Sequence, residues 1–191
     1  TTTDFIAQDF SLISTTAIDA EAPYVNLGEI QNNGYDISLG YNNTWDNGLT
    51  FSALANISHY KNEVKDLISA FQTGRNDLRG GAMTRTEVGR SISEFYGRKV
   101  IGYTDQGRFE YEDINGDGTI NDDDRTYIGS PHPDFTWGLN LSAAYKGFDA
   151  SLFFTGSVGN DIYNYQKIYS DFPSFVDGNR STRVLDSWTP D

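Results

Sequence analysis

Four stretches of this sequence alternate apolar and polar residues with almost no charge, and they limit the possible folds more than any other feature. They run from Asn33 to Thr44, Leu49 to Tyr60, Phe135 to Tyr145 and Phe148 to Val158, and their 46 residues include two charged ones. Residues 63 to 134, by contrast, hold 23 of the 41 charged residues. In the first stretch Tyr35, Ile37, Leu39 and Tyr41 share one face, against Asp36, Ser38, Gly40 and Asn42. The second sets Leu49, Phe51, Ala53, Ala55 and Ile57 against Thr50, Ser52, Asn56 and Ser58, with Leu54 breaking the polar side. Trp137, Leu139, Leu141 and Ala143 repeat the pattern in the third, and Phe148, Ala150, Leu152 and Phe154 in the fourth. A period of two means β-strands. Each stretch matches the roughly 9 to 11 residues with which a tilted strand crosses a bilayer.

The connections are of two kinds. Trp45-Asp46-Asn47-Gly48 and Lys146-Gly147 are tight-turn sequences, because Asn-Gly and Gly accept the positive φ that short hairpin turns require. Two hairpins result, separated by more than 70 residues and followed by a tail of more than 30. Short turns alternating with long loops are the layout of an outer-membrane barrel, with the turns periplasmic and the loops outside. Trp45, Tyr41, Tyr145 and Phe148 cluster near the turns, and Tyr35, Tyr60, Phe135 and Trp137 near the opposite ends, as two interfacial aromatic belts would. A soluble sandwich alternates in the same way and uses its aromatics as core. Four strands cannot close a membrane barrel, so on the barrel reading the chain is a fragment. The opening Thr1-Thr2-Thr3-Asp4-Phe5 likewise reads as a processed protein or a piece of one.

Composition removes several functions. A net charge of -13 opposes nucleic acid as the main partner, since phosphates are repelled. With no cysteine and only His59 and His132, thiolate catalysis, disulfide scaffolds and cysteine-histidine zinc sites are closed off. No phosphate-binding glycine loop and no Gly-x-Ser-x-Gly elbow occurs, and no enzyme chemistry is assigned. Helical spacing is confined to the loops, at Val64, Leu67, Ile68 and Phe71, at Ile162, Tyr165 and Tyr169, and at Val184, Leu185 and Trp188 before Pro190. Short helices or irregular loops with apolar anchors fit each of these equally.

One motif carries chemistry. From Asp113 to Asp124 the sequence matches a calcium loop, with Asp113, Asn115 and Asp117 at positions 1, 3 and 5 and Gly118 at position 6. Ca²⁺ takes six to eight oxygens, and alternate side chains converge on it only where the chain curls, which the glycine allows. Thr119 would offer its carbonyl, Asn121 would act directly or through water, and Asp124 stands where the closing carboxylate belongs. The flanks are wrong for a helix-loop-helix calcium hand. Phe109-Glu110-Tyr111-Glu112 alternates like a strand, and Arg125 to Gly129 is too short for an exiting helix. The competing reading is an acidic turn that merely solvates.

A family resemblance rests on several pieces in order. Asn26 to Asp36 (NLGEIQNNGYD), Phe95-Tyr96-Gly97 before Gly102-Tyr103, the Asp113 to Gly118 loop, Ile128 to Phe135 (IGSPHPDF), Gly138-Leu139, Tyr145 to Phe148 (YKGF), Gly156 to Asn164 (GSVGNDIYN) and Trp188-Thr189-Pro190 are similar to the late-barrel region of SusC/RagA-like TonB-dependent outer-membrane transporters. The resemblance covers about residues 26 to 165. It implies a 22-stranded barrel in the bacterial outer membrane, occluded by an N-terminal plug. It further implies import of oligosaccharides or peptides with energy relayed by TonB, and a SusD-like surface lipoprotein as partner. The expected fold is all-β, four antiparallel transmembrane strands of that larger barrel, facing lipid on one side. Extracellular loops span about 63–134 and 159–191, and TonB would act through a part of the parent outside this chain. Ca²⁺ would be structural, held by Asp113, Asn115, Asp117, Thr119, Asn121 and Asp124. The alternative is a secreted calcium-binding β-sandwich, an adhesin or glycan-binding module.

Overall fold

The computed structural model describes residues 2–8, 24–75, 81–172 and 178–189. The described residues form eleven strands: β1 (Thr2–Gln8), β2 (Tyr24–Thr44), β3 (Thr50–Leu67), β4 (Phe71–Arg75), β5 (Gly81–Thr86), β6 (Glu94–Arg98), β7 (Val100–Tyr103), β8 (Phe109–Tyr111), β9 (Arg125–Gly129), β10 (Phe135–Tyr145) and β11 (Phe148–Val158). A short helix, α1, covers Gln166–Asp171. The chain divides into two units, residues 1–95 with 129–160 and residues 96–128 with 161–191.

The first unit is built on an antiparallel sheet in the order β1-β2-β3-β10-β11. Its turns follow from sequence. Lys146 and Gly147 both take positive φ, 49° and 86°, as a two-residue hairpin turn of matching twist requires, and Tyr145 pairs directly with Phe148 across it. In the other hairpin the Gly48 amide donates to the Trp45 carbonyl at 2.9 Å, and Asn47 Oδ1 accepts the Leu49 amide at 2.9 Å. At about 3.3 Å per residue, the 21 residues of β2 extend about 70 Å, far more than a bilayer crossing needs. The alternation marks only the lower part of β2 and β3; both run on, to Tyr24 and to Leu67.

Both edges of this extension are covered. β1 pairs with β2 from Tyr24 to Gln31. β10 leaves β3 at Ser58, and residues 89–92 take over its edge above that point. The Val64 amide donates to the Arg90 carbonyl at 2.8 Å and the Gly89 amide to the Val64 carbonyl at 2.9 Å. Asn62, nearly buried, donates from Nδ2 to Asn32 Oδ1 at 2.8 Å and accepts the Ile92 amide at 3.0 Å, while Ser91 Oγ donates to its carbonyl. His132 Nε2 bonds the Ile92 carbonyl at 2.8 Å, anchoring the same segment from the turn before β10. A covered edge cannot recruit a foreign strand.

Of the helical spacings, the first is corrected by the structure. Val64 and Leu67 lie in β3, and β4 begins at Phe71. Val64 is 1% exposed while Ile68 is 74% exposed, so the residues share no helical face; pairing with β2 holds the chain extended to Leu67. Tyr169 does lie in α1, and Val184 and Leu185 lie in a 3₁₀ turn at Thr182–Asp186, with Ile162, Tyr165 and Trp188 outside these elements. Pro190 lies outside the described residues.

In the second unit β7 and β8 form a hairpin with Tyr103 against Phe109. Arg125 lies over the Tyr96 ring at 5.3 Å, Tyr96 meets Tyr127 edge to face, and the Trp188 indole fills the place where a side chain at Gly107 would go.

Candidate functional site

The strand register shows what the sheet presents on each side. Ile37, Ile57, Trp137 and Gly156 line up across β2, β3, β10 and β11, as do Leu39, Ala55, Leu139 and Phe154, and then Tyr41, Ala53, Leu141 and Leu152. Every member of these rows is apolar or glycine, on one face. The other face carries Asp36, Ser58, Thr136 and Ser157, then Ser38, Asn56, Gly138 and Thr155, then Asn42, Ser52, Ser142 and Ser151. A slip of one residue in any strand would mix the two sets.

The apolar face is uncovered. Leu39 is 71% exposed and Leu152 57%, and among the described residues Val64 is the one fully buried apolar side chain. A sandwich must bury that face against a second sheet; a barrel wall turns it to lipid. At the turn end Tyr41, Phe51, Tyr145 and Phe148 gather, with Lys146 Nζ 5.0 Å from the Tyr145 ring. Tyr35 and Trp137 lie on the lipid face toward the other end, but Tyr60 does not. Opposite Gly34, it falls on the polar face and meets His132 edge to face.

In the acidic loop, hydrogen bonds fix the predicted ligand side chains of Asp113, Asn115, Asp117, Asn121 and Asp124. Gly116 and Gly118, at φ 74° and 80°, bend the chain so that their amides donate to the two Asp113 oxygens at 2.7 and 2.8 Å. Asn115 Oδ1 accepts the Asp117 amide at 3.0 Å, Asp117 Oδ1 the Thr119 amide at 2.7 Å, and Asn121 Oδ1 the Asp123 amide at 2.6 Å. Asp124, with 0% exposure, closes the loop by accepting the Ile114 and Asn121 amides at 2.9 and 2.8 Å. The Asn121 amide, with smaller help from the Ile114 and Asn115 amides and a hydrogen bond with Asp113, holds its carboxyl below the ordinary carboxylate range against burial, which pushes the other way. Arg98 bonds the Asn121 carbonyl and pairs with Asp122 at 3.1 Å, tying the loop to β6. Among the described residues no three acidic or histidine side chains converge on one point.

His59, at the upper end of the β3 alternation, bonds the Asp134 carbonyl through Nδ1 and packs tilted against the Tyr35 ring at 5.2 Å. Both histidines hold backbone, and among the described residues no acid-base partner bonds either ring. The Asn62 clasp has no signal in the sequence, since its partners lie 30 residues away on either side.

Two coherent faces on long antiparallel strands joined by tight turns define part of the wall of a transmembrane β-barrel of the outer membrane. Within that class the chain is similar to a section of SusC/RagA-like TonB-dependent transporters. It is 30% identical over 183 residues to TonB-dependent receptor P26 of Formosa agariphila, covering 87% of this chain and 18% of the relative. With TonB-dependent receptor P3 of the same organism it shares 31% over 185 residues, 86% of this chain and 18% of the relative. With TonB-dependent receptor SusC of Bacteroides thetaiotaomicron it shares 26% over 149 residues, 72% of this chain and 15% of the relative. The structure of the RagAB peptide transporter matches its fold with a TM-score of 0.70 at 22% identity, covering 89% of this chain and 19% of that one. No family model matches the sequence. The chain thus spans less than one fifth of the length of these relatives.

Proposed function

We propose that the parent protein imports an oligosaccharide or a peptide across the outer membrane, and that this chain supplies part of its barrel wall and extracellular loops. The observation that carries this reading is the register-coherent pair of faces, apolar toward lipid and hydroxyl- and amide-lined toward a lumen. A relative named SusC and the fold of the RagAB peptide transporter support it. On this reading the partners are a SusD-like surface lipoprotein over the loops and TonB acting through a part of the parent outside residues 1–191. Uptake of labelled oligosaccharides and peptides by cells with and without the parent gene is the test. Loss of uptake of at least one, restored by the gene and abolished by a protonophore, is expected; equal uptake of all of them contradicts import.

We further propose that the acidic loop takes a structural Ca²⁺ through Asp113, Asn115, Asp117, Asn121, Asp124 and the Thr119 carbonyl. The donor set is all oxygen, as this hard ion requires, and each carboxylate oxygen bonded to an amide keeps a second lone pair. The two positive-φ glycines already curl the chain around Asp113. Bound calcium would offset repulsion among Asp113, Asp117 and Asp122 to Asp124. Limited proteolysis of the full-length protein should show slower cleavage between residues 105 and 130 with calcium than with chelator; identical cleavage leaves an acidic turn closed by its own hydrogen bonds.

A further inference from the structure

Among the described residues, the only non-glycines with positive φ are Ser93 and Lys146. Lys146 takes 49° in the first position of the two-residue turn between β10 and β11. That position favours Asn, Asp or Gly, which tolerate the left-handed backbone where a long side chain does not. The other hairpin keeps to this preference, with Asn47-Gly48 in its turn. The turn itself gives no reason for a lysine.

The position of its head group does. Nζ lies 5.0 Å from the centre of the Tyr145 ring, and Tyr145 continues the lipid face of Leu141 and Ala143, so the cation is held beside that face. Phe148, the cross-strand partner of Tyr145, is 83% exposed on the same side. Among the described residues no carboxylate pairs with Lys146. It is also the one lysine or arginine in residues 33–60 and 135–158. Asp36 and Asp149 fall on the opposite face by register, Asp36 beside Ser58 and Asp149 beside Ala144, so neither offsets its charge on the lipid side. An unpaired ammonium over an exposed ring, at the end of a lipid-facing wall, stands at the level where a bilayer keeps its phosphates.

We propose that Lys146 and the Tyr145 ring form a binding site for the phosphate of a glycerophospholipid in the leaflet next to the turns. The ammonium pairs with the phosphate oxygens, and the Phe148 ring packs against the acyl chains. The left-handed turn is kept because it lets the lysine lie along Tyr145 at the edge of the wall. The contact fixes the depth of this hairpin in the membrane. It rests on the lipid-face assignment and is independent of what the parent protein carries.

The test places p-benzoyl-phenylalanine at Phe148 of the full-length protein, in vesicles of equal parts phosphatidylglycerol and digalactosyl diacylglycerol with the same acyl chains. The second lipid has no phosphate. After irradiation, mass spectrometry compares the two lipid adducts. Phosphatidylglycerol adducts should exceed galactolipid adducts about fivefold, the preference that one lysine near an anionic surface gives. Lys146→Asn, which suits the turn at least as well, should remove the excess, and Lys146→Arg should keep it. Equal adducts with Lys146 in place, an excess that survives Lys146→Asn, or adducts to polypeptide in place of lipid would each overturn the site. Should the probe at 148 prevent assembly, the same comparison with it at Phe51, next to Ala143 on the same face, gives the same decision. None of these outcomes alters the uptake assay for import.

Discussion

The indole of Trp137 lies across Gly156, its cross-strand partner, so closely that a β-carbon at 156 would stand 2.4 Å from Trp137 Nε1. The missing side chain is what lets a tryptophan lie flat on the lipid face. Gly156→Ala should cost about 1–3 kcal/mol, the usual range for forcing a methyl group into a packed contact. In the parent barrel this would be read as a lower urea midpoint by gel mobility. Trp137→Ala in the same chain should remove most of the effect, because the clash then has no second partner.

The tight turns and the long connections should lie on opposite sides of the membrane, since antiparallel strands alternate direction without exception. An epitope inserted at Gly147 should be hidden in intact cells, and one beside Arg75 should be reached by antibody. The reverse pattern would invert the topology.

Asn62 should hold residues 89–92 against β3. Asn62→Ala removes the acceptor of the Ile92 amide and the donor to Asn32, and a buried group left without a partner costs about 1–3 kcal/mol. Faster hydrogen exchange confined to residues 86–93 is expected, with β10 and β11 unchanged; uniform loosening of the whole sheet would mean that Asn62 supports something larger.

Asp124 should make the acidic loop sensitive to acid. Its carboxyl is held below the ordinary range in the folded loop, so its contribution to stability is complete above the unfolded pKa of about 3.9 and is lost as pH falls through the lower folded value. Hydrogen exchange at Ile114 and Asn121, corrected for the intrinsic rate, should therefore stay slow near neutral pH and rise in strong acid. Asp124→Asn should loosen the loop at pH 7 and flatten that dependence. An unchanged acid profile in the variant would remove Asp124 from this role.

Strands and turns that answer to a short-range rule were legible in the sequence. Phe135 to Tyr145 and Phe148 to Val158 alternate throughout, and Lys146-Gly147 admits one kind of turn. The extension of β3 was not, because Lys61, Glu63 and Lys65 put charge on one side of the strand, while Val64, Leu67 and Ile68 happen to keep helical spacing. What holds that segment extended is pairing with Gly28 to Asn33 and the cover from residues 89–92, both distant in sequence. The acidic loop was legible as a pattern of oxygen donors, since glycines at fixed offsets force the curl. Its own network, in which amides occupy Asp113 and Asp124, depends on backbone angles that residue types leave open.

The central claim, that these strands are a barrel wall with lipid on one side, is tested most directly by a nitroxide scan of β10 in the full-length protein in bilayers. Single cysteines from Phe135 to Tyr145, in a stretch that has none of its own, would be spin-labelled and compared for collisions with oxygen and with a water-soluble nickel chelate. Oxygen should dominate at Trp137, Leu139, Leu141 and Ala143 and fall at Thr136, Gly138, Asn140 and Ser142, with a period of two. Nickel collisions that are high at the odd positions, or a profile without alternation, would contradict the wall.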